Sequence, residues 1–171
     1  MKKELSEILK LSSLGNYKKA LNLAEDLFLK NKNSLNVVKV LTNIYSLMEN
    51  FKFAASVMEE FINDNEYADY ECYNNLGMFL RKNEEYKKSL YFLNEALSIN
   101  SDLPFAYLNL AEVNIVLRQF ELAERHIDQS LSIAEKMEPI NKGLLINIIH
   151  LKLSINIALK KNGNSVDLLN K

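Results

Sequence analysis

An aromatic residue recurs at nearly constant spacing along this chain of 171 residues. Each aromatic is followed three positions later by a small residue, and the four pairs are Tyr17 with Ala20, Phe51 with Ala54, Tyr86 with Ser89, and Phe120 with Ala123. Successive aromatics are roughly 34 residues apart, and a fixed period in this range is typical of stacked units that cannot each bury an apolar face alone. The spacing therefore predicts a helical repeat protein whose function lies on the surface of the stack.

Apolar residues at helical spacing support this interpretation. The third unit is the clearest, with Tyr73, Leu76 and Leu80 on a first helix and Tyr86, Leu93 and Ala96 on a second. Gly15-Asn16 predicts a helix end, and Ser34 is a favourable N-cap. Pro104 suits the first turn of a helix, where its missing N–H is not needed.

The repeat register breaks near Glu138-Pro139, where we predict the start of a longer apolar helix that runs to about Lys161. Its apolar residues partly alternate, as in a strand, but two helical stripes favour a helix. One stripe is Leu144, Ile148, Leu151, Ile155 and Leu159, and the other is Ile146, Leu153 and Ile157. Gly163-Asn164 predicts a second turn, after which residues 165–171 would begin a short last helix. An incomplete fifth unit would leave one of the two stripes uncovered, and we expect residues 165–171 and the lengthened fourth-unit helix to cover it.

The composition narrows the function classes. The 21 basic and 22 acidic residues give a net charge of −1, which does not favour nucleic acid as a partner. The charged N-terminus lacks the apolar core of a signal peptide. Residues Leu144–Leu159 include polar side chains and form a short stretch, so we expect no membrane insertion. We expect a cytoplasmic protein, and its one cysteine, Cys72, suits a reducing compartment.

The segment Tyr73-Asn-Asn-Leu76-Gly77, followed by Tyr86, Ser89 and Ala96, resembles the tetratricopeptide repeat family. The resemblance implies an all-α, right-handed superhelical solenoid of antiparallel helix pairs, in one array of four full repeats and a partial fifth. The repeats would span about 1–34, 35–69, 70–103 and 104–137, with a longer irregular unit at 138–171. Asn114 departs from the pattern, because a large apolar residue is expected there.

In that family, the first helices of successive repeats line a concave groove that binds an extended peptide or a helix of a partner protein. Lys39, Asn43 and Asn75 match three of the five positions of the carboxylate-clamp subtype, but Phe105 and Asn109 stand where a lysine and an arginine are expected. A ladder formed by Asn75 and Asn109, which would hold a peptide backbone, fits better. Met78, Phe105 and Leu108 would supply apolar pockets beside it.

Competing interpretations accompany these candidates. Asn is frequent throughout the chain, so chance alone can place an Asn at a groove position. For Lys39 the ordinary alternative is a lysine that is exposed to solvent and binds nothing. His126 and His150 have no acidic or cysteine neighbour at metal-ligand spacing. Cys72 has no sequence-adjacent base and is better interpreted as a packing thiol. We predict no metal and no cofactor.

The sequence therefore predicts a non-catalytic protein-interaction module, a scaffold, an adaptor or a chaperone-like protein. No HExxH, GxSxG or Gly-rich phosphate loop occurs. One alternative is a substrate-recruiting subunit of a glycosyl- or sulfotransferase system, since similar repeats precede catalytic domains in some of those enzymes. Another is a structural protein that self-assembles as a homodimer through the Leu144–Leu159 helix.

Overall fold

The computed structural model describes the backbone of residues 1–66 and 68–169, and side chains as far as Lys160. Every regular element in these residues is an α-helix, which confirms the all-α prediction. The nine helices of the described backbone are α1 (Lys2–Ser13), α2 (Tyr17–Lys30), α3 (Leu35–Leu47), α4 (Phe51–Asp64), α5 (Tyr70–Lys82), α6 (Tyr86–Ile99), α7 (Pro104–Val116), α8 (Phe120–Ala134) and α9 (Lys142–Leu169).

A left-handed residue follows the first helix of each of the four repeats. These residues are Gly15, Glu49, Glu84 and Arg118, with φ of 74°, 57°, 63° and 59°. In each turn the next residue's N–H donates to a carbonyl five positions back, as Asn50 does to Tyr45 at 2.8 Å. This is the Schellman arrangement, which satisfies the last carbonyls of the helix. The turn therefore recurs with the period of the sequence pattern. Of the four left-handed residues, only Gly15 is a glycine, the residue type that would predict such a turn.

The backbone contacts divide the chain into two compact units, Met1–Phe92 and Leu93–Lys171. In the first unit, α1 to α5 pack in chain order around a core that includes Ile8, Leu41, Met58 and Leu76, all at most 1% exposed. The recurrent small residues permit close helix packing. Ser89, for example, is fully buried, and its Oγ donates to the Gly77 carbonyl at 2.7 Å.

In the second unit, α8 packs against both α7 and α9. Its core includes Ile127, Leu144, Ile148 and Ile155, each at most 2% exposed. The Oγ of the buried Ser130 donates to the Pro104 carbonyl at 2.7 Å. Pro104 is in the first turn of α7, as predicted.

Asn114 is 1% exposed inside the second unit. Its Nδ2 donates to the Leu110 carbonyl at 2.7 Å, while its Oδ1 has no hydrogen-bond partner among the described residues. The departure from the apolar pattern thus places a polar atom in the core, where an unpaired acceptor is destabilising.

The α9 helix differs from the sequence prediction at both ends. It begins at Lys142 rather than at Glu138-Pro139, because Asn141 acts as its N-cap and accepts from the Leu144 N–H at 3.0 Å. It also continues through Gly163-Asn164 to Leu169, so the predicted turn is wrong. A glycine inside a helix costs only about 1 kcal/mol relative to alanine, too little to end a helix by itself. The predicted cover by residues 165–171 lies outside the residues whose side chains are described.

The length argument against membrane insertion does not hold for α9. Residues Lys142–Lys160 have a mean hydropathy of 1.3 and are long and apolar enough to span a membrane. By length and composition alone this is weak evidence, since a core helix of a soluble protein passes the same test. One side of this segment is packed into the second unit through Leu144, Ile148 and Ile155. The second predicted stripe is instead exposed, with Ile146, Leu153 and Ile157 each at least 50% accessible.

Candidate functional site: grooves between first helices

A groove between α3 and α5 brings four of the predicted site residues together in the first unit. It has a volume of about 60 Å³ and is lined by Lys39, Thr42, Asn43 and Ser46 from α3 and by Asn75, Met78 and Phe79 from α5. Asn43 is exposed, and Asn75 and Met78 are half-buried. Lys39 and Asn43 are four residues apart and therefore share one face of α3, and α5 supplies the opposite wall of the groove.

Lys39 is engaged in ion pairs at the edge of this groove. Its Nζ donates to the Asp69 carboxylate at 2.8 Å and also to the Glu71 carboxylate. Burial alone would lower the pKa of Lys39, but these two carboxylates outweigh that effect and raise it. Asp69 in turn caps α5 by accepting from the Cys72 N–H at 3.0 Å.

These contacts change the interpretation of Lys39. Both alternatives considered from the sequence, a solvated lysine and a carboxylate ligand, assumed an uncompensated ammonium group. The structure gives Lys39 two intramolecular carboxylate partners, so an incoming peptide carboxylate would have to compete with both. Lys39 therefore acts first as a link between α3 and the start of α5.

A second groove lies between α7 and α9 in the second unit. Its volume is about 310 Å³, and it is lined by Leu108 and Glu112 from α7 and by Asn147, His150, Leu151 and Ser154 from α9. Leu108 was predicted as a pocket residue, but the polar residues of this groove were missed. The lining offers an amide, a hydroxyl, an imidazole and a carboxylate beside two leucines, which suits hydrogen bonding to a peptide backbone next to apolar side-chain contacts.

The two grooves use equivalent helix positions. Three α5 residues of the smaller groove have counterparts on α9 at one constant offset: Asn75 with Asn147, Met78 with His150, and Phe79 with Leu151. This offset is slightly longer than the step from Tyr17 to Tyr86, which are two regular repeats apart. The extra residues precede α9, where α8 and the following loop are longer than their counterparts.

This offset explains why the sequence analysis missed Asn147. A search at the regular repeat spacing from Asn109 arrives at Gly143, one helical turn too early. The buried positions of α9 carry the correcting signal, because Leu144 and Ile148 occupy the places of Cys72 and Leu76 of α5. Asn75, Asn109 and Asn147 thus hold equivalent positions on their helices.

The remaining predicted residues lie on α7. Phe105 is 46% exposed, whereas Asn109 is only 8% exposed. Neither is among the residues that line the groove between α7 and α9. Their role in binding stays a prediction.

The other chemically reactive candidates have packing roles. Cys72 is fully buried, and burial raises the pKa of its thiol to about 12, which is unfavourable for a nucleophile. Burial lowers the pKa of His126, which lies against the Tyr107 ring. Within residues 1–66 and 68–160, no group of three or more His, Cys, Asp or Glu side chains could hold a metal ion.

Residues 71–101 match the family model described as tetratricopeptide repeat. This segment covers α5 and α6, and the same helix–turn–helix recurs on both sides of it with the period of the aromatic pattern. Residues 71–101 are a tetratricopeptide repeat, and the chain has the all-α repeat fold of such proteins. The resemblance recognised in the sequence is thereby confirmed.

Similar solved structures share this fold. MamA superposes with a TM-score of 0.68 at 16% identity, over 91% of this chain and 95% of that one. The YrrB structure, titled a TPR protein with an unusual peptide-binding site, gives 0.66 at 15% identity over 94% and 90%. The TPR2B domain of yeast Sti1, in its pHsp70 complex, gives 0.62 at 16% identity over 70% and 93%.

A sequence relative comes from an enzyme. The chain is 33% identical over 88 residues to the UDP-N-acetylglucosamine–peptide N-acetylglucosaminyltransferase of Giardia intestinalis (strain ATCC 50803 / WB clone C6). The matched segment is 52% of this chain but only 6% of that enzyme. The match therefore concerns a small part of the enzyme.

Proposed function

We propose that this chain is a non-catalytic interaction module whose first-helix grooves bind an extended segment of a partner protein. The observation that carries this proposal is the groove between α7 and α9, with a volume of about 310 Å³ and a lining of hydrogen-bonding side chains beside two leucines. Such a lining provides hydrogen bonds to a peptide main chain and apolar contacts, and Glu112 is its one carboxylate. A scaffold, adaptor or chaperone-like role in the cytoplasm belongs to the same proposal.

The two grooves would contribute differently. Asn147 is exposed on α9, and its amide provides donors and an acceptor for a peptide backbone. Asn75 is equivalent but lies in the smaller groove, beside the Lys39 ion pairs. We expect the groove between α7 and α9 to supply most of the binding energy and the groove between α3 and α5 to add less.

Similar structures agree with this use of the fold, since YrrB is described with a peptide-binding site and the Sti1 domain is in complex with pHsp70. Nucleic acid remains disfavoured by the balance of 21 basic and 22 acidic residues. Insertion of α9 into a membrane is disfavoured because Leu144, Ile148 and Ile155 are buried in the second unit.

The test is capture of partners from native cell extract by tagged full-length chain, followed by mass spectrometry and affinity measurement with the partner's binding segment. The groove variant is Asn147→Ala with His150→Ala, and the second groove is tested by Asn43→Ala with Asn75→Ala. Asn22→Ala is the matched control, because Asn22 is exposed on α2 and lines neither groove. We expect the first variant to weaken binding at least about tenfold, as for loss of hot-spot contacts. Unchanged affinity in both groove variants would refute the proposal.

A substrate-recruiting role in a glycosyltransferase system is a second candidate, favoured by the similarity to the Giardia enzyme. The partner would then be a transferase, and the segment bound in the groove would be a substrate. Addition of the chain to a captured transferase should lower the KM for that substrate and leave kcat unchanged, since recruitment acts on binding alone. No change in KM would eliminate this role.

A homodimer through the Leu144–Leu159 helix stays an untested alternative for the partner. It would use the exposed stripe of Ile146, Leu153 and Ile157, where pairing of two copies brings the lysines at the two ends of the stripe together. Sedimentation velocity of the full chain at increasing concentration tests it, and a monomer throughout would remove it.

A further inference from the structure

A narrow apolar row lies on the side of α9 that faces away from its buried side. Ile146, Ile149, Leu153 and Ile157 are 54, 57, 59 and 50% exposed. At about 100° per residue these four side chains fall within an arc of about 80°. We call this row the outer seam. It is distinct from the groove between α7 and α9, whose α9 lining is Asn147, His150, Leu151 and Ser154.

An exposed lysine lies at each end of the outer seam. Lys142 is four residues before Ile146, and Lys160 is three residues after Ile157, so both fall on the same side of the helix. Residues 139–166 contain four lysines and no Asp or Glu. Lys152, away from the seam, is compensated by Asp128 at 2.6 Å. The outer seam is therefore apolar in the middle and positive at both ends.

The spacing of the seam indicates a helix as its occupant. From Lys142 to Lys160 the row advances in steps of three or four positions throughout, the spacing that packs one helix along another. A second copy of α9 fits poorly, because parallel and antiparallel pairing both bring lysine against lysine. A bilayer fits poorly as well, since helices that lie on membranes present a broad apolar side, often with aromatic residues, and the last aromatic residue of this chain is Phe120.

We propose that the outer seam docks an amphipathic helix of a partner protein, with aliphatic residues at this spacing and carboxylates near both of its ends. The aliphatic row supplies the contact area, and Lys142 and Lys160 select an acidic helix over a basic one. The seam from Ile146 to Ile157 is about 16 Å long, so the interface is small. Binding is accordingly weak and sensitive to salt.

The probe is a synthetic helical peptide of about 20 residues with four leucines at the seam spacing and a glutamate one turn beyond each end. A matched peptide carries lysine in place of both glutamates. Fluorescence anisotropy with the full chain compares the two at low salt. We expect the acidic peptide to bind about tenfold more tightly, which corresponds to two surface ion pairs, and to lose that advantage at high salt.

Two variants test the chemistry of the seam. Lys142→Glu with Lys160→Glu should reverse the preference, so that the basic peptide binds more tightly. Ile149→Ser with Leu153→Ser should abolish binding of both peptides, and because both side chains are exposed the far-UV circular dichroism should not change. Lys18→Glu with Lys136→Glu is the charge-matched control at exposed positions off the seam, and it should keep the preference for the acidic peptide.

Other outcomes would overturn the proposal. Equal binding of the two peptides, or reversal by the control pair, would show that the charges at the seam do not select. Sedimentation of the chain with phosphatidylserine vesicles, lost in the Ile149→Ser and Leu153→Ser variant, would assign the seam to a lipid surface. Self-association lost in that same variant would assign it to a second copy. The Asn147→Ala and His150→Ala variant should bind both peptides as the wild type does. A negative result for the outer seam is therefore distinguishable from a negative result for the groove between α7 and α9.

Discussion

The grooves of the two units occupy equivalent positions on their repeats but differ in size and charge. In the first unit, Lys39 is held by Asp69 and Glu71, and the groove has a volume of about 60 Å³. In the second unit, Leu108 takes the place of Lys39 two repeats later, and the groove has a volume of about 310 Å³. The repeat thus fixes where a groove forms, whereas contacts between side chains across it decide how much room is left.

The end of the first helix sets α9 apart from the other first helices. The helices α1, α3 and α5 of the first unit and α7 of the second end in a Schellman turn, whereas α9 continues to Leu169 without one. The outer seam is exposed because α9 does not end in a turn that leads into a second helix, and no described helix follows α9 to pack against the seam.

The largest expected effect tests whether α9 is packed as a true repeat helix. Leu76 of α5 and Ile148 of α9 are equivalent and completely buried. Leu76→Ala and Ile148→Ala should each lower the free energy of unfolding by about 2–5 kcal/mol, because each leaves a cavity in a core. Urea denaturation followed by circular dichroism measures both. If Ile148→Ala unfolds like the wild type, α9 is not packed as the structure places it.

A smaller effect of opposite sign is expected at Asn114. Its equivalent in the first unit is Leu80, one repeat earlier, which is buried. Asn114→Leu should raise the free energy of unfolding by about 1 kcal/mol, because it removes a buried acceptor without a partner and adds apolar contact. Asn114→Ala is the control and should not stabilise, since it leaves a cavity. A loss of stability with leucine would show that Oδ1 is satisfied in solution.

The left-handed turn residues offer a matched comparison between the units. Glu84 and Arg118 have φ of 63° and 59°, a conformation that costs a non-glycine residue about 1 kcal/mol. Glu84→Gly and Arg118→Gly should each stabilise the protein by up to about 1 kcal/mol, reduced by the larger entropy of the unfolded glycine. Thermal unfolding measures the change. Destabilisation by either variant would mean that the side chain, not the turn, is stabilising.

The smallest effect concerns acid stability at the edge of the first groove. Burial by itself would raise the pKa of Asp69, but hydrogen bonds from Lys39 and the Cys72 amide outweigh it and lower the pKa. Because the pKa of Asp69 is lower in the folded state than in the unfolded state (about 3.9), the carboxylate stabilises the folded protein above about pH 3.9. This stability is lost as the pH falls through the folded-state pKa. In Lys39→Met the folded-state pKa of Asp69 should lie closer to the unfolded value, so we expect the variant to lose less stability on acidification, by less than about 1 kcal/mol. Identical wild-type and variant stabilities between about pH 7 and pH 2 would contradict this.

Much of the fold was predictable because it depends on local pattern. Pro104 begins α7, as expected from its missing N–H. Lys39, Asn43, Asn75 and Met78 share one groove, as helical spacing and repeat alignment together require. Asn147 was missed because the insertion before α9 shifts the register, and register is recovered only from which residues are buried.

The sequence by itself determined the period, the helical class and the alignment of the first helices, since these follow from residue spacing along one chain. Only the tertiary structure decided that Lys39 is paired with Asp69 and Glu71, that the larger groove lies between α7 and α9, and that α9 runs past Gly163-Asn164. The physical reason is that these features depend on distances between side chains of different helices, or on what packs beside a helix. Neither is encoded in the periodicity of a single segment.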